Sequence, residues 1–148
     1  NRSEDIKQEL RKLKLIVTER SSGHKPSDDC DVYIVNTYGE MSKFLRLSNV
    51  TFIGGSLVNH GGQNPLEAVR MGNYVMHGKK VNNFKEIYRD LKSLKISSEI
   101  KNIDQMEKVF VKNHNYKISN SKLNKINYLG AKIFENNVKE IKNYLLWK

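Results

Sequence analysis

Gly54-Gly55-Ser56-Leu57-Val58-Asn59-His60-Gly61-Gly62-Gln63-Asn64-Pro65-Leu66-Glu67 is the stretch that decides the fold. The apolar run Val50-Thr51-Phe52-Ile53 precedes it and Ala68-Val69-Arg70-Met71 follows, so it reads as strand, glycine-rich loop and helix. Four glycines within nine positions let the backbone take φ > 0 or come close to a ligand. Asn64 suits the helix N-cap, Pro65 the first helical position, and Glu67 stands three residues after the cap, the spacing of a capping box. Free N–H groups and a positive dipole end gathered there can hold an anion, with phosphate the natural candidate. The same pattern also serves as plain connection in α/β domains, with Glu67 no more than a cap partner.

Upstream, Asp31-Val32-Tyr33-Ile34-Val35 is apolar enough for a strand inside a parallel sheet. Thr37 and Glu40 then repeat the cap-to-N3 spacing ahead of Met41, Phe44 and Leu45. Two capped helix starts that each follow a strand belong at the carboxyl ends of strands, where open α/β sheets bind ligands. At the start of the chain, Ser3 can cap a helix with Ile6, Leu10 and Leu13 on one stripe, and residues 13–17 turn to a strand pattern. Residues 18–31 read as a polar loop, and His24 within it as an exposed loop histidine, since no second ligand lies at metal spacing.

Downstream, residues 73–78 give a short strand and glycine turn, followed by Lys79-Lys80. Asn82 or Asn83 can cap a helix carrying Phe84, Ile87, Tyr88, Leu91 and Leu94. Residues 96–100 suit a last, edge strand, and Asn102 with Gln105 opens a helix whose inner face is Met106, Val109 and Phe110. From Ser119 on, Ile126, Leu129 and Ile133, then Val138, Ile141 and Leu145, recur at helical spacing as one or two amphipathic helices. Their lysines are read as a solvated face, with an anionic membrane surface as the competing partner, and Trp147 as packing rather than an interfacial anchor.

A length of 148 residues suits one domain, able to bury about 68–70% of its unfolded surface without metal or disulfide staples. The single Cys30 forms no internal disulfide and fits a reducing compartment. No run approaches the roughly 20 apolar residues of a membrane span, and the chain by itself is expected to be soluble. A net charge of +10 steers toward polyanions: nucleic acid, anionic lipid or phosphorylated substrates.

With these elements placed, the sequence resembles the C-terminal half of 3-deoxy-D-manno-octulosonate (Kdo) transferases, from about Arg2 to Leu94 and most densely from Val35 to Phe84. The motifs that carry the likeness are Phe52 to Val58, His60 to Glu67, Thr37-x-Gly39-Glu40 and Asn83-Phe84. The resemblance implies a GT-B glycosyltransferase, in which two Rossmann-like domains face each other and the C-terminal one holds the nucleotide donor. This chain would be that domain: a mostly parallel sheet flanked by helices, with a helical tail from about residue 103. The family's donor is CMP-Kdo, its acceptor a lipid A precursor, and its reaction inverts the anomeric centre at the cytoplasmic face of the bacterial inner membrane. Nucleotide contacts carry over to Tyr38, Gly39 and Glu40 in the first turn and to Asn64, Pro65, Leu66 and Glu67 in the second.

No metal or cofactor is implied, and the general base is a glutamate of the N-terminal half, so this chain alone is expected to catalyse nothing. Tyr38 stands where the family usually has Met, Asn36 where Asp is frequent, and Lys79-Lys80 where Pro-His is usual. A family Pro-Arg pair that contacts CMP belongs to a strand upstream of Asn1, the first strand of the domain and a central one in doubly wound order. The remaining strands are expected to flank a gap, with the natural chain continuing upstream toward its own N-terminal domain. Two other functions compete: a GT-B domain using a UDP-sugar, and a basic, non-catalytic module for nucleic acid or anionic lipid. The aromatic residues do not gather with the lysines as a base-stacking platform requires, which disfavours nucleic acid as a partner.

Overall fold

The structure, a computed structural model, describes residues 2–146, so Trp147 lies outside the described residues. The chain divides into two compact units, Asn1–Met41 and Ser42–Lys148. All strand pairs are parallel, and they form two sheets, one of two strands and one of three. The sequence suggests one interrupted sheet.

In the first unit, α1 (Arg2–Lys12) leads to β1 (Val17–Glu19), a 3-10 turn at Arg20–Ser22 and β2 (Val32–Ile34). Helix α1 already includes Arg2, so Ser3 sits inside its first turn and does not cap it. Strand β1 starts where the expected strand ends. Residues 13–15 instead close the helix, with Leu13 N–H and Lys14 N–H donating to the carbonyls of Leu10 and Arg11 and Lys14 in the left-handed region at φ 61°. The expected loop 18–31 is correspondingly shorter at its start. Two three-residue strands offer little surface for a helix to cover, and Ile6 and Leu13 stay exposed. Polar contacts do more here: Lys7 Nζ bonds Glu19 Oε2 at 2.6 Å, and the Tyr33 hydroxyl donates to the His24 carbonyl.

The second unit holds the core. Strand β4 (Tyr74–His77) is buried along its whole length between β3 (Val50–Ile53) and β5 (Ser97–Glu99). Side chains alternate across the sheet. Val75 joins Leu45, Leu66, Val69, Leu91, Ile96 and Ile126 on one face, and Tyr74 and Met76 meet Ile100, Met106 and Val109 on the other. Helix α2 (Met41–Leu47) begins on the last residue of the first unit; α3 (Leu66–Arg70), α4 (Lys85–Ser93), α5 (Ile103–Asn113) and α6 (Asn120–Leu146) follow. The β5 edge is polar and α4 buries Tyr88 and Leu91, as the spacing predicts.

Asn102 caps α5 by accepting from Gln105 N–H at 2.9 Å, while Gln105 Oε1 accepts from Lys101 N–H at 3.0 Å. Phe110, expected on the inner face of α5, is half exposed, since only Met106 and Val109 reach the sheet. The tail is one helix. Its first apolar stripe anchors at Ile126 and Leu129, whereas Ile133, Ile141 and Leu145 remain exposed because the helix runs past the sheet's flanking layer. No helix among the described residues is long and apolar enough to cross a membrane.

Candidate functional site

Parallel pairing of Ile53 with His77 places the turns after β3 and β4 at the same, carboxyl edge of the three-stranded sheet. Ser56 fastens the two turns together. Its buried hydroxyl donates to the Ile53 carbonyl at 2.5 Å and accepts from Gly78 N–H at 2.8 Å, and its carbonyl accepts from Lys80 N–H at 2.8 Å. The chains approach so closely that a β-carbon at Gly78 would collide with the Ser56 carbonyl. Ser56→Ala is expected to destabilise the second unit by about 1–3 kcal/mol, because Gly78 N–H loses its buried acceptor, and a lower denaturation midpoint would register it.

The rest of the glycine loop bends through Gly61 and Gly62, both at positive φ. The Asn83 side chain occupies the place a β-carbon at Gly61 would take, and Asn83 N–H donates to the Gly61 carbonyl at 3.3 Å. Tyr88 closes the far side by donating to the Gln63 carbonyl at 2.9 Å. The loop is thus held against residues 80–88 up to the start of α3. There Asn64 Oδ1 accepts from Leu66 N–H at 3.0 Å, but the helix begins one residue later than expected: Leu66 is its first residue, and Pro65, expected at that position, takes the N-cap place expected of Asn64. The reciprocal half of the box is absent. Glu67 Oε1 instead accepts from the Ser42 hydroxyl at 2.7 Å, across to α2.

Pro65 and Leu66 are buried, while Asn64 and Glu67 are exposed. Helix α3 has five residues and α2 seven, so neither carries the dipole of a long helix. What the site offers is local: N–H groups of a first turn and one exposed carboxylate.

Tyr38, Gly39 and Glu40 lie in the first unit and Asn64 to Glu67 in the second; each set is organised within its own unit. Tyr38 is fully exposed, and Gly39 takes φ 77°. Glu40 is a bridge: Oε1 and Oε2 accept from Arg20 Nη2 and Nε at 2.9 and 3.0 Å, and Oε2 also accepts from the Thr37 hydroxyl at 2.6 Å. Thr37 therefore binds the Glu40 side chain rather than capping α2 as its spacing suggests. Glu40 and, second to it, the Tyr33 hydroxyl push Arg20 upward. Asn36 Oδ1 accepts from Ser21 N–H and its amide donates to Ser21 Oγ, a two-way contact that the Asp frequent in the resembled family could not make.

Sequence reasoning missed Arg20, Ser42 and Ser56, whose partners lie 20 to 25 residues away. His77, on β4, is held below the ordinary histidine range by burial, with Nδ1 2.8 Å from the Gly78 carbonyl. His24 is exposed, and Lys79 and Lys80 are solvated. Among the described residues no three His, Cys, Asp or Glu side chains gather into a metal-binding group.

No protein-family model matches the chain. Over 82 residues it is 39% identical to a 3-deoxy-D-manno-octulosonic acid transferase of Haemophilus influenzae, a match covering 55% of the chain and 19% of that protein. A protein of the same name from Rickettsia bellii is 30% identical over 130 residues, 88% of the chain and 26% of the relative. The crystal structure of the C-terminal CMP-Kdo binding domain of WaaA from Acinetobacter baumannii matches with a TM-score of 0.69 at 26% identity, over 73% of this chain and 56% of that one. In sequence the chain is similar to the Kdo transferases, and in structure to a C-terminal CMP-Kdo binding domain.

Two parallel sheets flanked by helices, with a helical tail, are the fold this chain shares with that CMP-Kdo binding domain. The 130-residue match is longer than the stretch 2–94 that carries the resemblance, so the likeness reaches into the tail helices. The chain spans less than a third of either curated relative.

Proposed function

We propose that this chain is the donor-binding domain of a Kdo transferase and holds the CMP moiety of CMP-Kdo. The observation that carries the reading is the exposed Glu67 carboxylate, fixed beside the turn that Asn64 bonds at the carboxyl edge of the sheet. A carboxylate there accepts hydrogen bonds from ribose hydroxyls, and first-turn N–H groups receive the phosphate. Pro65 brings no N–H and that of Leu66 is taken by Asn64, so the phosphate falls to the N–H groups around Glu67, with Pro65 and Leu66 as packing beneath. In the first unit the exposed Tyr38 ring supplies a face for a base, and Gly39 an unobstructed backbone. Glu40 acts through the conformation it imposes on that turn, its carboxylate being committed to Arg20 and Thr37.

In the whole protein the acceptor is a lipid A precursor, bound with the help of an N-terminal domain at the cytoplasmic face of the inner membrane. The anomeric carbon gains positive character as CMP departs, and fixed N–H dipoles at the phosphate stabilise the charge left on the leaving group. Inversion needs a base opposite the leaving group; none is assigned to this chain, and no resident metal or cofactor either.

Calorimetric titration with CMP and with UDP, at low and high salt, separates the readings. CMP is expected to bind more tightly than UDP. Preference for UDP would point to a UDP-sugar GT-B domain, and affinity that collapses with salt for both nucleotides would point to a basic polyanion-binding module.

A further inference from the structure

Ser42 is the second residue of α2, one turn ahead of Leu45 and Arg46, and shares their face toward α3. Its hydroxyl donates to Glu67 Oε1 at 2.7 Å. Nothing in the motif around Glu67 calls for a serine there, and the bond joins residues 25 apart in sequence. We propose that Ser42 is a positioning residue for nucleotide recognition. It fixes the Glu67 carboxylate in one orientation, so that the remaining lone pairs of Oε1 and the whole of Oε2 are aimed at the ribose hydroxyls before the ligand arrives.

The alternative role for such a contact is to dock α2 on α3, and the structure makes that role redundant. Helix α2 is already held by the buried Leu45, whose carbonyl accepts from the Asn73 amide at 2.7 Å, and by Arg46 Nε, 3.3 Å from Met71 Sδ. Each of these lies nearer the middle or end of α2 than Ser42. What the Ser42 bond adds is restraint on a side chain that is otherwise exposed to solvent. An unrestrained glutamate loses rotamer freedom when it binds; a glutamate already held by a hydroxyl loses less, and the difference returns as affinity. The effect must then be confined to ligands that carry ribose hydroxyls.

This inference rests on the reading of Glu67 as the ribose-binding group, and its test keeps the two apart. CMP and 2′,3′-dideoxy-CMP are titrated by calorimetry into the chain and into Ser42→Ala, Ser42→Thr and Glu67→Ala. Ser42→Ala is expected to weaken CMP about threefold to tenfold. It should leave the dideoxy nucleotide unchanged, and Ser42→Thr, which keeps the hydroxyl, should restore CMP binding. If Ser42→Ala binds CMP like the parent while Glu67→Ala does not, the positioning role is overturned and the ribose role stands. If Ser42→Ala weakens both nucleotides alike, the hydroxyl is structural and the proposal fails. If Glu67→Ala keeps the parent's preference for CMP over its dideoxy form, or the parent binds no CMP, the underlying reading falls and this inference with it.

Discussion

Glu67→Ala is expected to weaken CMP binding about tenfold to a hundredfold while leaving the fold intact. Hydrogen bonds to a charged partner contribute about 1.5–3 kcal/mol each, which is that range of affinity. The side chain is exposed and held by the Ser42 hydroxyl, so its loss removes little packing. Denaturant midpoints of the variant should therefore lie within about 0.5 kcal/mol of the parent. Glu67→Gln keeps an acceptor oxygen but not the charge and should fall between the two in calorimetric titration. Unchanged affinity in the alanine variant would reduce Glu67 to a bridge between α2 and α3.

Ile126→Ala is expected to carry the largest stability effect, about 2–5 kcal/mol, against a total of about 5–15 kcal/mol for a domain of this kind. Ile126 is wholly buried and packs with Val69, Leu91 and Ile96 beside the sheet, so truncation leaves a cavity that rigid neighbours cannot close. Phe134→Ala, eight residues later on the same helix, removes a larger side chain from an exposed position and should cost less than about 0.5 kcal/mol. The pair, compared by denaturant unfolding, tests whether the first half of α6 belongs to the core of the second unit. Equal costs would mean that it does not. Gly130, on the next turn, lies against the Arg70 guanidinium, the far end of a flexible side chain of α3.

Features written in short-range patterns were legible in the sequence. The apolar run that became β4, the Asn102 cap and the inner face of α4 follow from neighbours within one or two turns, and each is where periodicity or spacing puts it. The start of β1 was not legible. Leu13, Leu15 and Ile16 look like a strand, but the turn that closes α1 puts Lys14 among them in the left-handed region, and a lysine gives no warning of that conformation. Nor do capping-box spacings guarantee the bonds they suggest. Thr37 and Glu40 turned to each other and to Arg20, and Glu67 turned to Ser42, because a carboxylate near a donor on another segment has a stronger partner than a backbone N–H. The Ser56 clasp escaped for the same reason: its partner Gly78 is close only once β3 and β4 have paired.

The most direct test of the donor-binding assignment maps amide shifts by nitrogen-15 NMR as CMP is added to the chain. The account predicts saturable shifts at residues 64–67, with Ser42 among them and with UDP producing the same pattern only at higher concentration. Shifts confined to the lysine-bearing face of α6, or absent from 64–67 at saturation, would contradict it.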